Sequence, residues 1–384
     1  MTVAALWPLD PSIAYLNHGS FGACPYPVLA AQTALRLDME REPVDFLSAS
    51  LQRRLDEARA VLAAFLRADA EDLVFVPNAT TGVNAVLRSL DLARGDELLV
   101  TTHTYQACRK AIDFMAERSG ARVVVAALPF PCEGSEAIVA AVMQAASPRT
   151  RLALIDHVTS PTALVLPVGR IVRELAARGI DTLVDGAHAP GMVPLALAEL
   201  GAAYYTGNAH KWLCAPKGAA FLHVRRDHQA QLHPAVVSHG YGAGFRAEFD
   251  WTGTQDPTAY LSIPEALRFM ESLSPAGWPG VMASNRALVL GAREILLESF
   301  AERPPCPEDM IGSMASVPLP PAAPGSPAQG LDMPGLHDWL RVRGIETWLH
   351  PHPLPLLRLS AQQYNTPEQY RSLAALLAEA LHGR

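Results

Sequence analysis

Lysine is scarce in this chain. Of 31 lysines and arginines, three are lysines: Lys110, Lys211 and Lys217. A sequence that writes its positive charge as arginine raises the question of what an ammonium does that a guanidinium cannot. Arginine stays charged, whereas lysine can lose its proton and attack a carbonyl. Lys110 sits in QACRKAIDFM, a helical pattern where a surface charge is sufficient reason for it. Lys211 sits in NAHKWLCAPKG, after a small polar turn, and a carboxylate precedes it by 26 residues: Asp185, at the end of the apolar run DTLVDG. An amine able to form a Schiff base, and a carboxylate able to keep a pyridine nitrogen protonated, are the pair that pyridoxal 5′-phosphate (PLP) requires to draw electrons from a substrate's Cα. A third stretch, PNATTGVNAV (77–86), puts small polar residues between a strand and a helix start. Free N–H groups and hydroxyls there make a phosphate cradle, with Ala79, Thr80 and Thr81 as the expected contacts. The same residues also suit an ordinary Asn/Thr helix cap.

The elements that must position these groups are legible as a pattern. Between about residues 69 and 224, short apolar runs alternate with helical stretches: LVFV (73–76), ELLVTTH (97–103), ARVVVAAL (121–128), RLALIDHV (151–158), DTLVDG (181–186) and GAAFLHV (218–224). The pattern predicts an α/β fold with a mainly parallel sheet covered on both faces. Ligands of such sheets lie beyond the carboxyl ends of the strands, where NATT, HTY, DHVTS and DGAH fall. Residues 303–334 are rich in Pro, Ala, Gly and Ser. They contain one expected strand, MIGSMASVPL (310–319), and a loop, PPAAPGSPAQG, read as mobile. LHDWLRVRG (336–344), a strand and a closing helix (367–383) complete the chain. The expected division is an arm (1–25) lining the site, a large cofactor-binding domain (26–256) and a smaller α+β domain (257–384).

Composition narrows the function. Apolar residues make up 49% of the 384 positions, charged residues 18%, and the net charge is −7. That predicts a globular protein with no basic footprint for nucleic acid or an anionic membrane surface. No apolar run reaches a membrane span, and the start has no basic n-region or apolar h-region, so the expectation is cytoplasmic. Five scattered cysteines without a C-x-x-C give no zinc site and no disulfide framework. His350 and His352, separated by a proline, read as loop residues rather than metal ligands.

Six stretches carry a family resemblance: YLNHGSFGACP (15–25), VPNATTGVNAV (76–86), DGAHAPGMVPL (185–195), GNAHKWLCAPKG (207–218), DWTGTQDPTAYL (250–261) and RLSAQQYNT (358–366). In this order, nearly end to end, the chain resembles the class V aminotransferase group of PLP enzymes, and within it the isopenicillin N epimerase-like branch. The resemblance implies the aspartate aminotransferase-like fold and a set of roles. Lys211 would bind the cofactor covalently, Asp185 would pair with its ring nitrogen, and His188 would bond its phenolic oxygen. Thr80, Thr81, Asn208 and His210 would hold the phosphate. Tyr105, or nearby His103, would stack on the ring. Thr254 would reach the phosphate of a neighbouring subunit, implying a homodimer with shared sites. Arg358 would clamp a substrate α-carboxylate by a bidentate pair, with Asn17 and His18 on the substrate side.

Two departures bear on the reaction. Related cysteine desulfurases carry a nucleophilic cysteine before the carboxylate-binding arginine, and no cysteine lies between Cys306 and Arg358, which argues against persulfide formation. Gln255 stands where many epimerase-like relatives have arginine. Loss of the Cα proton precedes epimerisation, carbon–sulfur β-elimination and transamination alike, so cofactor motifs do not separate the three. An epimerase needs an acid–base group opposite Lys211, for which His18, His239 and Tyr241 are candidates. A non-catalytic PLP-binding protein is the reading that an intact Lys211, Asp185 and Arg358 oppose.

Overall fold

The computed structural model describes residues 2–383. A short strand, β1 (Ala14–Tyr15), is followed by the strands of the main sheet: β2 (Leu73–Val76), β3 (Glu97–Thr101), β4 (Arg122–Ala126), β5 (Thr150–Asp156), β6 (Asp181–Asp185), β7 (Tyr204–Asn208) and β8 (Ala220–Val224). Their spatial order is β2-β8-β7-β6-β5-β3-β4, and β8 runs against its two neighbours while the other six are parallel. The central strands are apolar along almost their whole length because helices cover both faces. At the edge, β4 is partly exposed, with Val125 open to solvent. Each covering helix turns one stripe inward. Val168–Ala176, for example, buries Val168, Ile171, Val172 and Leu175, the i, i+3, i+4, i+7 spacing of an amphipathic helix.

Strand β7 was not apparent as a strand, because YYTGN has no run of aliphatic residues. Tertiary packing makes it one. Tyr204 and Tyr205 are buried, and a side chain on Gly207 would run into Phe221 and Pro190. The consequence is functional: β5, β6 and β7 end side by side, presenting Asp156, Asp185 and Asn208 at their carboxyl ends.

The rest of the chain builds around a long helix, Gly277–Phe300. It supports an antiparallel sheet of order β11-β12-β9, made from β9 (Met314–Pro318), β11 (Trp348–His350) and β12 (Leu356–Ser360), while β10 (Ile345–Glu346) pairs in parallel with β1. The closing helix, Pro367–His382, starts with a reciprocal cap between Thr366 and Gln369 and proline at its first turn. The segment from Trp7 to Leu16 is anchored to the rest of the chain. Trp7 packs edge-on against Phe269 and Tyr364, and Tyr15 and Leu16 are hydrogen-bonded to Asn365 and Ser360. The Pro-rich loop, expected to be mobile, is also docked. Ala323 N–H donates to Leu381 O at 2.7 Å and Ala328 N–H to Ala380 O at 2.8 Å, and Ser326 and Ala328 are buried. Its prolines cannot pair in a sheet, but its remaining amides cap the last carbonyls of the closing helix.

Candidate active site

A cavity of about 350 Å³ opens at the carboxyl ends of β5, β6 and β7, lined by Ser20, Phe21, Asn78, Ala79, Thr80, Tyr105, Asp156, Val158, Ser160, Asp185, Ala187, His188, Asn208, His210 and Lys211. Lys211 is presented by the turn after β7, and its Nζ lies 3.2 Å from His188 Nε2. Burial, and then the positive charge of Arg358, pull the Lys211 ammonium down to about 7, against the opposing attraction of Asp185. Near neutral pH the amine is therefore a nucleophile and a base. His188 itself is held well below its ordinary range by burial and by Lys211, so it faces the amine as neutral imidazole, with Nδ1 unpartnered.

Asp185 is buried, with one donor on each oxygen. Ala187 N–H donates to Oδ1 at 3.0 Å, and the buried thiol of Cys108, on the helix Gln106–Ser119, donates to Oδ2 at 3.2 Å. Two donors fix the carboxylate's orientation at the cavity wall.

The helix Ala79–Ser89 begins at the cavity edge. Asn78 caps it through Thr81 N–H, at 2.9 Å, and the Thr81 hydroxyl also bonds Asn78, at 3.1 Å. Asn208 Oδ1 accepts from Ala79 N–H at 2.8 Å. The expected cradle is thus narrower than the sequence implies: the Ala79 and Thr81 amides are occupied. The Thr80 N–H has no acceptor among the described residues and is left, with its hydroxyl, for an anion at the helix start. His210 adds a ring whose Nδ1 lies 2.9 Å from Ala219 O and whose pKa burial pulls down to about 4.

Arg358, in the middle of β12, is the second electrostatic feature. Its side chain is about 1% exposed, and no carboxylate among the described residues pairs with it. It donates to Ser160 O at 2.9 Å, Ser160 Oγ at 3.2 Å, Ser20 Oγ at 2.8 Å and Asn17 Oδ1 at 3.3 Å, and it stacks 4.4 Å over the Trp348 ring. Burial lowers it to about 10. A buried guanidinium held only by neutral acceptors is a site for an incoming carboxylate.

Other expected residues sit elsewhere. Asn17 is not on the lining of this cavity; it accepts from Arg358 and donates to Glu346 Oε1 at 3.0 Å. His18 is wholly buried behind the wall, with Nδ1 2.8 Å from the Tyr364 hydroxyl and Nε2 3.0 Å from Lys211 O. The amino-terminal segment presses so closely on Lys211 that a side chain on Gly22 (φ +69°) would meet the Lys211 backbone. Tyr105 lines the cavity, whereas His103 is buried beside Thr162, with Nδ1 3.0 Å from its hydroxyl. Thr254 is exposed on the loop after Trp251 and outside this cavity. His239 and Tyr241 are exposed and also outside it. His350 stacks on Trp348 at 4.7 Å, and no group of three metal-ligating side chains occurs among the described residues. Sequence reading missed Asp156, Cys108, Ser20 and Ser160. Asp156 alone left a signal, since LID and LVD end β5 and β6 alike.

The site defines the class of protein. Residues 30–274 match the sequence profile of the family described as aminotransferase class V, and the chain belongs to that family. It is a PLP-dependent enzyme with an α/β fold: the depressed amine of Lys211, the carboxylate Asp185 and the open Thr80 amide are a donor set that fits the cofactor. Among curated relatives, the isopenicillin N epimerase of Streptomyces clavuligerus is 36% identical over 398 residues, spanning 98% of this chain and 96% of that one. A probable L-cysteine desulfhydrase, chloroplastic, of Arabidopsis thaliana is 34% identical over 392 residues, 95% and 82% of the two chains. Among solved structures, the cystine C–S lyase C-DES in complex with cysteine persulfide superposes with a TM-score of 0.81 at 22% identity, covering 96% and 98%, a likeness of fold. No described helix is long and apolar enough to cross a membrane.

Proposed function

We propose that this enzyme exchanges the Cα proton of an amino acid, as an isopenicillin N epimerase-like enzyme. The observation that carries the reading is a depressed amine, Lys211, on the cavity wall, with a buried guanidinium, Arg358, directly behind Ser20 and Ser160 of the same wall and hydrogen-bonded to both. When bound, PLP supplies an aldehyde for the amine and a ring that accepts the electron pair left at Cα. Lys211 Nζ would hold the cofactor and then carry the Cα proton. Asp185 would pair with the ring nitrogen and keep it protonated. His188 would bond a ring oxygen. Thr80, with Thr81, Asn208, His210 and the Ala79 turn, would shape the phosphate end, and Tyr105 would cover the ring face. Arg358 would fix the α-carboxylate, with Asn17 and Ser20 fixing Arg358 and His18 fixing the Lys211 backbone. The same reading divides the chain into an arm (1–25), a large domain (26–256) and a small one (257–384). It makes the enzyme a cytoplasmic homodimer in which Thr254 serves the partner's site.

A second reading, carbon–sulfur β-elimination, draws on one specific observation. His18, His239 and Tyr241 all lie off the cavity wall, and an eliminating enzyme needs no acid opposite Lys211. The desulfhydrase relative accords with it. An amino-acid panel incubated with the holoenzyme in deuterium oxide distinguishes the two. Inverted, deuterated amino acid supports epimerisation; pyruvate with a released thiol supports the lyase. A keto acid formed only with an acceptor would overturn both.

A further inference from the structure

Two carboxyls, rather than one, stand at this end of the sheet. Asp156 closes β5 and Asp185 closes β6, and the parallel register sets them opposite each other. In-register residues of neighbouring strands project from the same face, so both carboxyls point the same way. Both are buried, at 2% and 4% exposure. Their partners differ. Asp185 has a donor on each oxygen, from Ala187 and Cys108. Asp156 Oδ1 accepts from Tyr105 N–H at 3.3 Å, but its Oδ2, buried and on a residue of the cavity wall, has no partner among the described residues.

Two adjacent anions out of water repel, and one gives up its charge. The oxygen without a donor marks which one. We propose that Asp156 is a second carboxyl of the cofactor site that works as a neutral acid, offering an O–H from Oδ2 to bound PLP while Asp185 supplies the charge. The electrostatics agree. Burial and then the Asp185 charge push Asp156 well above the ordinary carboxyl range, outweighing the Tyr105 amide and the Thr104 hydroxyl. Lys211, on the same cavity wall, offsets this only in part, because about half of it is neutral near pH ~7. The division of labour means that the site presents one full negative charge and one hydrogen-bond donor. The inference rests on the PLP reading above.

Infrared spectra of the apoenzyme at neutral pH, with ¹³C-labelled aspartate, test the protonation directly. A protonated aspartate C=O band that shifts in deuterium oxide is expected in the wild type and is lost in Asp156→Asn. Its absence from the wild type overturns the proposal even if no variant folds. PLP titration of the apoenzyme, read by quenching of tryptophan fluorescence, tests the role. Asp156→Asn keeps a neutral donor and should bind within about threefold of wild type, whereas Asp156→Leu should bind about tenfold or more weakly. An Asn variant as weak as the Leu variant, or a Leu variant as tight as wild type, overturns it. The infrared band needs no cofactor, so a chain that shows the band yet forms no borohydride-stable link to PLP refutes the PLP reading and leaves the Asp156 protonation standing.

Discussion

Lys211 should couple to PLP with a pH dependence unlike that of a free lysine. Burial and the Arg358 charge place its pKa at about 7. The neutral amine is the reactive form, so coupling rises with pH and then levels off. Roughly a tenth of the amine is neutral at pH ~6, about half at pH ~7 and about nine-tenths at pH ~8. An ordinary lysine near pKa 10.4 would be roughly a thousandfold less neutral at pH ~7 and would still gain about tenfold per unit up to pH ~10. Stopped-flow mixing of apoenzyme with PLP measures the rate, and acetyl-lysine in the same buffers corrects for titration of PLP itself. Borohydride trapping and peptide mass analysis confirm that the link is on Lys211. Arg358→Met supplies the internal control. Removing the guanidinium removes its repulsion, so the midpoint should move to higher pH. A corrected rate that still climbs about tenfold per unit between pH ~8 and ~9, or a midpoint unmoved in Arg358→Met, would refute the electrostatic argument.

Two further outcomes follow from the proposed function. Arg358→Lys should raise KM for the amino acid by about ten- to a hundredfold, the roughly 1.5–3 kcal/mol of a lost charge-assisted bond, because an ammonium cannot make the guanidinium's paired contacts. Steady-state kinetics alongside PLP titration check this: lost PLP with unchanged KM would make Arg358 structural. Subunits carrying Lys211→Ala, mixed with subunits carrying Thr254→Ala, should regain activity in heterodimers, since in the proposed homodimer one of the two shared sites is then intact. No recovery after confirmed subunit exchange, or a fully active monomer by light scattering, would remove Thr254 from the site.

What the sequence determined by itself was chemistry and period. Lys211 stands out because so few lysines survive, and Asp185 because an apolar run delivers it; both are local facts of type and spacing. The alternation of apolar runs and helical stretches specified the parallel sheet for the same reason, since burial on both faces writes itself into consecutive residues. Tertiary structure decided what depends on neighbours distant in the chain. Tyr204–Asn208 carries β-favouring Tyr, Tyr and Thr but no aliphatic run, and it is pairing with β6 and β8 that makes it a core strand. His18, read as a substrate-side residue, is enclosed between Tyr364 and the Lys211 carbonyl. Asn17 serves Arg358, and the Ala79 amide is already taken by Asn208. Asp156 gains its meaning only from lying opposite Asp185 across β5 and β6. Burial and charge proximity set whether Lys211 is an amine or an ammonium and whether Asp156 is an acid or an anion, and neither quantity exists until strands remote in sequence are brought into register.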